Sequence, residues 1–170
     1  MRRDLFDVAA YSVSKGIQTS LSPSVTALVT PANLARAYQA GVRHLSFSLD
    51  GATPEVHDGF RGVPGSFQRT LEAVKTAQDA GLTAQLNTTV SRWNLSQLQE
   101  LAGIVGKSGA IQWDVFFLVP TGRANAQEML SPEEHEEVFH WLYQLSRQVP
   151  FRVKTTLGQP FRRVALQQAQ

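Results

Sequence analysis

Apolar positions recur along this chain in two alternating patterns, and together they predict the order of its secondary structure. Apolar residues three or four positions apart indicate helices, whereas short runs rich in β-branched residues indicate strands. The predicted strands span residues 17–21, 42–49, 82–90, 111–119 and 151–156. The predicted helices span residues 4–14, 31–40 and 66–80, with a fourth capped by Asn94 and a fifth that follows Ser131.

Residues that favour helix starts lie at the boundaries of these predicted helices. Thr30 followed by Pro31 predicts a start, because the threonine hydroxyl can cap the first turn and proline needs no N–H there. Ser131, Pro132 and Glu134 form a capping-box sequence for the fifth helix. The helix residues expected to face the core include Val8, Tyr38, Val74, Leu101 and Leu142.

The alternation of strands and helices predicts parallel strands joined by right-handed crossovers. Two folds have this pattern, an open flavodoxin-like sheet and a piece of a β/α barrel, and the periodicity does not separate them. The length of 170 residues fits one domain, which we expect to span residues 1–170. The run 111–119 is apolar almost throughout, so we expect a strand that is buried on both faces.

Composition narrows the possible functions. The hydrophobic fraction of 42% and the charged fraction of 18% are ordinary for a globular protein. No apolar run reaches the roughly 20 residues that a membrane span needs. A net charge of +2 with scattered basic residues argues against nucleic-acid binding. The chain has no cysteine, which excludes disulfides, thiolate–metal sites and thiol nucleophiles, and we expect a cytoplasmic protein.

Histidines and tryptophans add no catalytic or metal-binding candidate. His135 and His140 lie on one predicted helix but do not have the His-Glu-x-x-His spacing of zinc ligands, so we expect them at the surface. The tryptophans are expected to pack in the core, and they are Trp93, Trp113 and Trp141.

Polar and glycine-bearing turns follow the predicted strands, whereas the opposite rim carries plain helix stops. The strand-end segments are 22–24, 48–51, 87–89 and 118–123. In parallel α/β folds, ligands bind outside the carboxyl ends of the strands. We therefore expect a ligand site at this edge.

The segment after the second strand carries the strongest candidate. Thr53 is expected to cap a short proline-led helical turn, followed by a glycine-rich loop that contains Arg61. An arginine there could hold a ligand carboxylate in a bidentate manner, and the Ser48 hydroxyl could supplement it. His57 either lies near this site or faces solvent from the helical turn.

These residues as a set resemble the core of the radical S-adenosylmethionine (SAM) enzymes. The set comprises Ser48-Leu49-Asp50-Gly51, His57 to Arg61, Gly65-Ser66-Phe67 at a helix start, and Asn87 to Val90 at a strand end. The most similar group carries a SPASM-type extension and includes peptide maturases and enzymes of haem and haem d1 synthesis. The run 116–123 is similar to the sixth core strand of the haem-associated members. The resemblance implies an α/β fold, a parallel-stranded partial TIM barrel with roughly strands three to six of six and a further short strand.

The resemblance also implies a binding site for SAM. The implied contacts are Ser48 and Arg61 with the amino-acid carboxylate, Asp50 as the residue that orders the loop, Asn87 near the ribose and methionine moiety, and Leu118 and Val119 against the adenine.

Members of this family use a 4Fe–4S cluster to cleave SAM reductively to a 5′-deoxyadenosyl radical, here for maturation of a peptide or tetrapyrrole substrate. The family's Cys-x3-Cys-x2-Cys loop and Gly-Gly-Glu-Pro turn are not found in this chain. We therefore expect the chain to supply the SAM-binding wall without ligating the cluster, and to be inactive alone. The helix 4–14 is similar to the one after that turn, so Met1 is expected to be internal to a longer protein, of which this chain is a fragment.

Other readings stay open on the sequence. The chain could be a non-catalytic α/β domain that binds a nucleoside-like ligand or a protein partner. A phosphate-binding barrel fragment would need glycine-rich turns after the last strands, where Gly158 stands alone. The expected partners are a small-molecule or peptide substrate, with no nucleic acid and no membrane. An uncovered sheet edge would also favour self-association.

Overall fold

A computed structural model describes residues 3–121 and 125–168 of the chain. The strands are β1 (Ser20–Leu21), β2 (His44–Ser48), β3 (Thr83–Val90), β4 (Gln112–Phe117) and β5 (Arg152–Thr156). The α-helices are α1 (Leu5–Ser14), α2 (Pro31–Gln39), α3 (Pro54–Arg61), α4 (Ser66–Asp79), α5 (Leu98–Ser108), α6 (Pro132–Ser146) and α7 (Pro160–Gln168). Short 3-10 helices cover Leu95–Gln97 and Ala126–Glu128.

The order of the strands decides between the two folds that the periodicity left open. All strand pairs are parallel, and the order in the sheet is β1-β2-β3-β4-β5, the same as in the sequence. A flavodoxin-like sheet reverses direction at a switch point, which places helices on both faces. With right-handed connections and no reversal, the helices lie on one face. The sheet does not close, and the predicted partial barrel is confirmed.

The two faces of the sheet differ in chemistry. In β3, Ala84, Leu86 and Val90 are buried, whereas the alternating Gln85 and Asn87 are half-buried. Because successive side chains of a strand point to opposite faces, the buried set packs under the helices. We call the other side the open face.

Polar side chains of the open face lie in two rows that cross the sheet. The strand register aligns Ser48, Asn87, Asp114 and Lys154, which we call the carboxyl-side row. Two residues earlier in each strand, the register aligns Ser46, Gln85, Gln112 and Arg152, which we call the amino-side row. The open face is therefore a polar wall, which suits a ligand better than a protein core.

Strand β4 is less buried than expected, since the sequence predicted a strand covered on both faces. Gln112 and Phe116 are half-buried, and Ile111 and Val119 at either end are 49% and 44% exposed. Asp114 is buried, and two hydrogen bonds satisfy its carboxylate: Lys154 Nζ donates to Oδ2 at 2.8 Å and Thr156 Oγ1 donates to Oδ1 at 2.8 Å. The prediction was wrong on the open face, where β4 contributes polar and half-buried side chains.

Three predicted core residues are exposed. Val8 is 45% and Tyr38 is 41% exposed, and in α1 the buried residues are Phe6, which was not predicted, and Ala9, which has the predicted helical spacing. Trp93 is 53% exposed, because it lies in the turn after β3 rather than on a helix face. The first strand, Ser20–Leu21, covers only the last two residues of the predicted span 17–21.

Helix α3 replaces the predicted helical turn and loop. Its start is as expected, since Thr53 Oγ1 accepts the Val56 N–H at 3.4 Å and Pro54 takes the first helical position. The helix continues through Gly59 and ends only at Gly62, which has a φ of +67°. Arg61 is thus the last residue of a helix, not part of a glycine-rich loop. Helix α7 was not predicted either.

Gly51 allows α3 to start very close to the end of β2. A Cβ at this position would lie 2.9 Å from both the His57 Cα and the Val56 carbonyl carbon. These are backbone atoms, so a side chain could be accommodated only by displacing the helix. A Cβ at Gly59 would meet no described atom within 4 Å.

We expect Gly51→Ala to lower the free energy of unfolding by about 2 kcal/mol, because the methyl group collides with the α3 backbone. Gly59→Ala is the matched control in the same segment, and it should stabilise the chain by about 0.5 to 1 kcal/mol through helix propensity. Urea unfolding followed by circular dichroism measures both. Equal stability of the two variants would contradict the close approach.

Candidate functional site

A cleft of about 320 Å³ opens at the carboxyl edge of the sheet beside β2. It contains two of the predicted site residues, Ser48 and Arg61. Its other lining residues are Pro23, Ser24, Val25, Thr26, His57, Phe60, Val63, Ser66 and Thr70. The cleft thus combines hydroxyl groups and a guanidinium with a partly apolar wall.

Asp50 anchors this site from below the surface. Its residue is 1% exposed, and its carboxylate accepts the Thr89 N–H at 2.7 Å and Arg61 Nη1 at 3.2 Å. Burial raises the pKa of the Asp50 carboxyl above its usual value, while the hydrogen bond from Thr89 and the charge of Arg61 oppose that rise. The carboxylate therefore joins the end of β3 to the end of α3.

His57 is a buried part of the same site, so of the two positions that the sequence left open, the structure shows the one near the site. It is 1% exposed, and its Nδ1 accepts the backbone N–H of Asp50 at 2.9 Å. Desolvation, and then the nearby Arg61 charge, lower the pKa of His57 to about 4, although Asp58 acts in the other direction. The ring is therefore neutral near pH 7, with its proton on Nε2 because Nδ1 is the acceptor.

Asn94 links the loops after β2 and β3. Its Nδ2 donates to the Asp50 carbonyl at 2.8 Å and to the Thr89 carbonyl at 2.9 Å, and its Oδ1 accepts the Ser91 N–H at 3.0 Å. The sequence predicted a helix cap at this position, but the Asn94 side chain makes no capping bond to the helix that follows. Its amide is instead a bridge between two strand ends.

Arg61 presents a partly free guanidinium to the cleft. Its side chain is 39% exposed, and among the described residues Asp50 is its one side-chain partner, through Nη1. The turn after it is held by Asp58, which accepts the Ser66 hydroxyl at 2.9 Å and the Phe67 N–H at 2.7 Å. The remaining guanidinium N–H groups can bind a ligand carboxylate.

Asn87 lies beside Ser48 in the carboxyl-side row, and a chain of amides fixes its orientation. Gln112 Nε2 donates to Gln85 Oε1 at 2.9 Å, and Gln85 Nε2 donates to Asn87 Oδ1 at 2.7 Å. Because the Asn87 oxygen is occupied, its Nδ2 remains as the donor for a ligand. Gln85 and Gln112 are contributors that the sequence did not reveal.

Leu118 and Val119 follow β4 and do not line this cleft. The Leu118 N–H bonds to the Val90 carbonyl at 3.2 Å, and Val119 is 44% exposed. They lie two strands away from Ser48, roughly 10 Å across the sheet, and at least four residues, roughly 13 Å, further along the strand direction. Two residues of the run 116–123, Gly122 and Arg123, lie outside the described residues.

The structure thus brings together Ser48, Asp50 and Arg61, with Asn87 on the adjacent strand and Leu118 and Val119 farther across the sheet. Asp114 and Lys154 complete the carboxyl-side row and were missed. The signal for Asp114 was present in the sequence, as an acidic residue within an otherwise apolar strand.

The described residues contain no group of three or more His, Cys, Asp or Glu side chains that could hold a metal ion. His135 is half-buried and stacks on Phe117 with ring centroids 5.2 Å apart, and His140 Nε2 pairs with Glu136 at 3.3 Å. Over the same part of the chain, none of the helices combines the length and apolar character required to cross a membrane.

Comparison with known proteins identifies a family. Residues 1–103 match the model of the Radical SAM superfamily. AdoMet-dependent heme synthases of Methanosarcina barkeri and Nitratidesulfovibrio vulgaris are 38% and 37% identical over 99% of this chain, which covers 48% and 46% of their lengths. The mycofactocin maturase MftC of Mycolicibacterium smegmatis is 30% identical over 84% of this chain and 36% of its own length.

Solved structures show the same fold at low identity. Streptococcus suis SuiB matches with a TM-score of 0.71 and 13% identity, over 91% of this chain and 36% of SuiB. HydG, a maturase of the FeFe hydrogenase, matches with a TM-score of 0.71 and 14% identity, over 95% of this chain and 40% of HydG. The chain spans about half the length of the curated heme synthases it matches.

His57 makes stability depend on pH in a defined window. Below pH 6.5 the unfolded chain is protonated at His57. The folded chain takes up this proton only when the pH approaches about 4. The folded state should therefore lose on the order of 2 kcal/mol between pH 7 and pH 5 through His57. His57→Asn keeps an acceptor near Nδ1 without the titration, so its unfolding midpoint should fall less with acidification.

His140→Asn is the control, because His140 lies on the exposed side of α6. This variant retains His57, so its unfolding midpoint should still fall between pH 7 and pH 5, by more than that of His57→Asn. Asp50 contributes with the opposite sign, since a raised carboxyl pKa favours the folded state as the pH falls, but this contribution is common to the compared proteins. Identical acid dependence of His57→Asn and the unmodified chain would rule out a buried neutral His57.

Proposed function

This chain belongs to the radical SAM superfamily, and we propose that it supplies the SAM-binding wall of an enzyme that cleaves SAM to a 5′-deoxyadenosyl radical. The observation that carries the proposal is the pairing of the half-exposed Arg61 guanidinium with the buried Asp50 beside the Ser48 cleft. When bound, SAM supplies a radical precursor, and the residues described below bind and orient it.

The donor chemistry of the cleft fits the amino-acid carboxylate of SAM. Asp50 holds one edge of Arg61, so the guanidinium has little freedom to turn away from the cleft. Its free N–H groups and the Ser48 hydroxyl offer donors of the kind that a carboxylate accepts. The neutral His57 behind them supports this arrangement without adding a competing charge.

The remaining proposed contacts extend across the open face. We assign Asn87 to the ribose and methionine moiety, since it lies beside Ser48 and its Nδ2 has no partner among the described residues. We assign Leu118 and Val119 to the adenine, because they present apolar surface after β4, two strands across the sheet from β2 and beyond its carboxyl end. An adenosyl group attached to an amino-acid chain is long enough to contact both strands.

The iron–sulfur cluster does not fit the residues of this chain. Family membership implies a 4Fe–4S cluster, but such clusters are held by cysteine thiolates, and the chain contains no cysteine. We derive no step through the cluster from these residues. The activity that the proposal names belongs to a protein in which other segments hold it.

For the substrate we propose a tetrapyrrole rather than a peptide. The heme synthases are 38% and 37% identical to this chain, whereas the mycofactocin maturase is 30% identical over a shorter range. The alternative of a non-catalytic domain is not favoured, because the family match and these relatives all concern enzymes of one superfamily. The cytoplasmic location stays a prediction.

We expect Arg61→Ala to weaken SAM binding to the chain by about tenfold or more, because it removes charged hydrogen bonds to the carboxylate. Isothermal titration of the 170-residue chain with SAM measures the change. Arg43→Ala, at the opposite edge of the sheet, is the matched control and should bind like the unmodified chain.

Titration with 5′-deoxyadenosine, which lacks the amino-acid moiety, sharpens the test. Arg61→Ala should leave its affinity unchanged, because the substitution removes only carboxylate contacts. Equal SAM affinity of Arg61→Ala and the unmodified chain would refute the carboxylate assignment. Loss of 5′-deoxyadenosine binding in the same variant would show general damage to the site and would also refute it.

Self-association is a separate proposal from the open sheet. In the described structure β1 and β5 each pair with one neighbour, which leaves one edge of each strand for a further strand. We expect the isolated chain to form dimers or larger species as its concentration rises, as measured by light scattering after size exclusion. A monomer across the whole concentration range would contradict this.

A further inference from the structure

A second polar pocket, of about 300 Å³, lies on the open face at the amino-terminal side of the strands. The strand direction separates it from the SAM cleft, since the amino-side row lies two residues, about 7 Å, before the carboxyl-side row that contains Ser48. Its lining includes Ser46, Gln85, Gln112 and Arg152, the whole amino-side row.

The charge of this pocket is positive. None of the described residues that line it is acidic, and Arg152 provides a guanidinium. Within residues 3–121 and 125–168, Arg152 has no ion-pair partner. In the register it faces Gln112, which offers an amide rather than a carboxylate.

The neighbouring row shows the contrast. There Lys154, two residues further along β5, faces Asp114, and the two side chains form an ion pair at 2.8 Å. The carboxyl-side row thus neutralises its own cation, whereas the amino-side row leaves the Arg152 charge available. An available guanidinium among amide and hydroxyl donors is the chemistry that recognises a carboxylate.

His44 completes the pocket on the side of β2. The Thr83 hydroxyl donates to the Arg43 carbonyl at 3.1 Å, so its oxygen accepts the hydrogen bond from His44 Nδ1. This bond fixes the imidazole at the pocket wall, opposite Arg152 across β3 and β4.

We propose that this pocket binds a carboxylate group of the substrate, with Arg152 as the principal contact and Gln112, its neighbour on β4, beside it. A carboxylate held there would place the rest of an extended substrate along the open face, toward the carboxyl-side row and the SAM cleft. The identification of the ligand as substrate rests on the proposed function; the anion site itself rests on the pocket alone.

Malonate, a small dicarboxylate, is the probe for the 170-residue chain, with inorganic phosphate as the second arm. We expect saturable malonate binding by isothermal titration, weakened about tenfold or more in Arg152→Gln and less in Arg152→Lys, which keeps the charge. Arg162→Gln, at an exposed arginine of α7, should retain the affinity. Circular dichroism spectra establish that the variants are folded.

Absence of saturable malonate binding, or equal binding by Arg152→Gln and the unmodified chain, would overturn the site. Tighter binding of phosphate than of malonate, lost in the same variant, would overturn the carboxylate assignment. Arg152→Gln should bind SAM as the unmodified chain does. The test of the anion site is therefore independent of the test of the SAM site. If malonate binds through Arg152 but Arg61→Ala does not weaken SAM binding, the anion site stands and its identification with substrate falls.

Discussion

The buried carboxylate of Asp50 is the constraint on which the site depends. A charge that is 1% exposed is costly unless donors surround it, and here they come from the Thr89 amide and the Arg61 guanidinium. The backbone of the same residue bonds to His57 and Asn94. One residue therefore sets the relative positions of β2, β3 and α3, and a change in any of these partners is felt at Arg61.

The sequential order of the strands gives the two faces of the sheet different chemistry, one apolar and one polar. With the helices of the described residues on one side, the apolar half of each strand is covered and the other half is free for polar residues. The two polar rows follow from this arrangement and from the register alone. Ion pairing then distinguishes them, since Asp114 neutralises Lys154 while Arg152 keeps its charge.

The sequence predicted the features that depend on neighbouring residues, and it did not predict those that depend on contacts between distant parts of the chain. Thr53 and Ser131 cap their helices as expected, because capping involves only the next three residues. The end of α3 was misjudged since Gly59 suggested a loop, whereas a helix tolerates an exposed glycine at modest cost. The burial of Asp114 and the bridge made by Asn94 depend on residues 40 and 44 positions away, which no spacing rule reveals.

The amides of Gln112, Gln85 and Asn87 form a line in which each nitrogen points to the next oxygen. The hydrogen bonds of this line all run in one direction, so no single amide can flip without breaking a bond to its neighbour. The Gln112 side chain on β4 therefore determines which atom of the Asn87 amide is available to a ligand at the carboxyl edge of the sheet. The orientation of one amide on β4 thereby fixes the direction of hydrogen bonding along β3, although no covalent connection joins the two strands nearby.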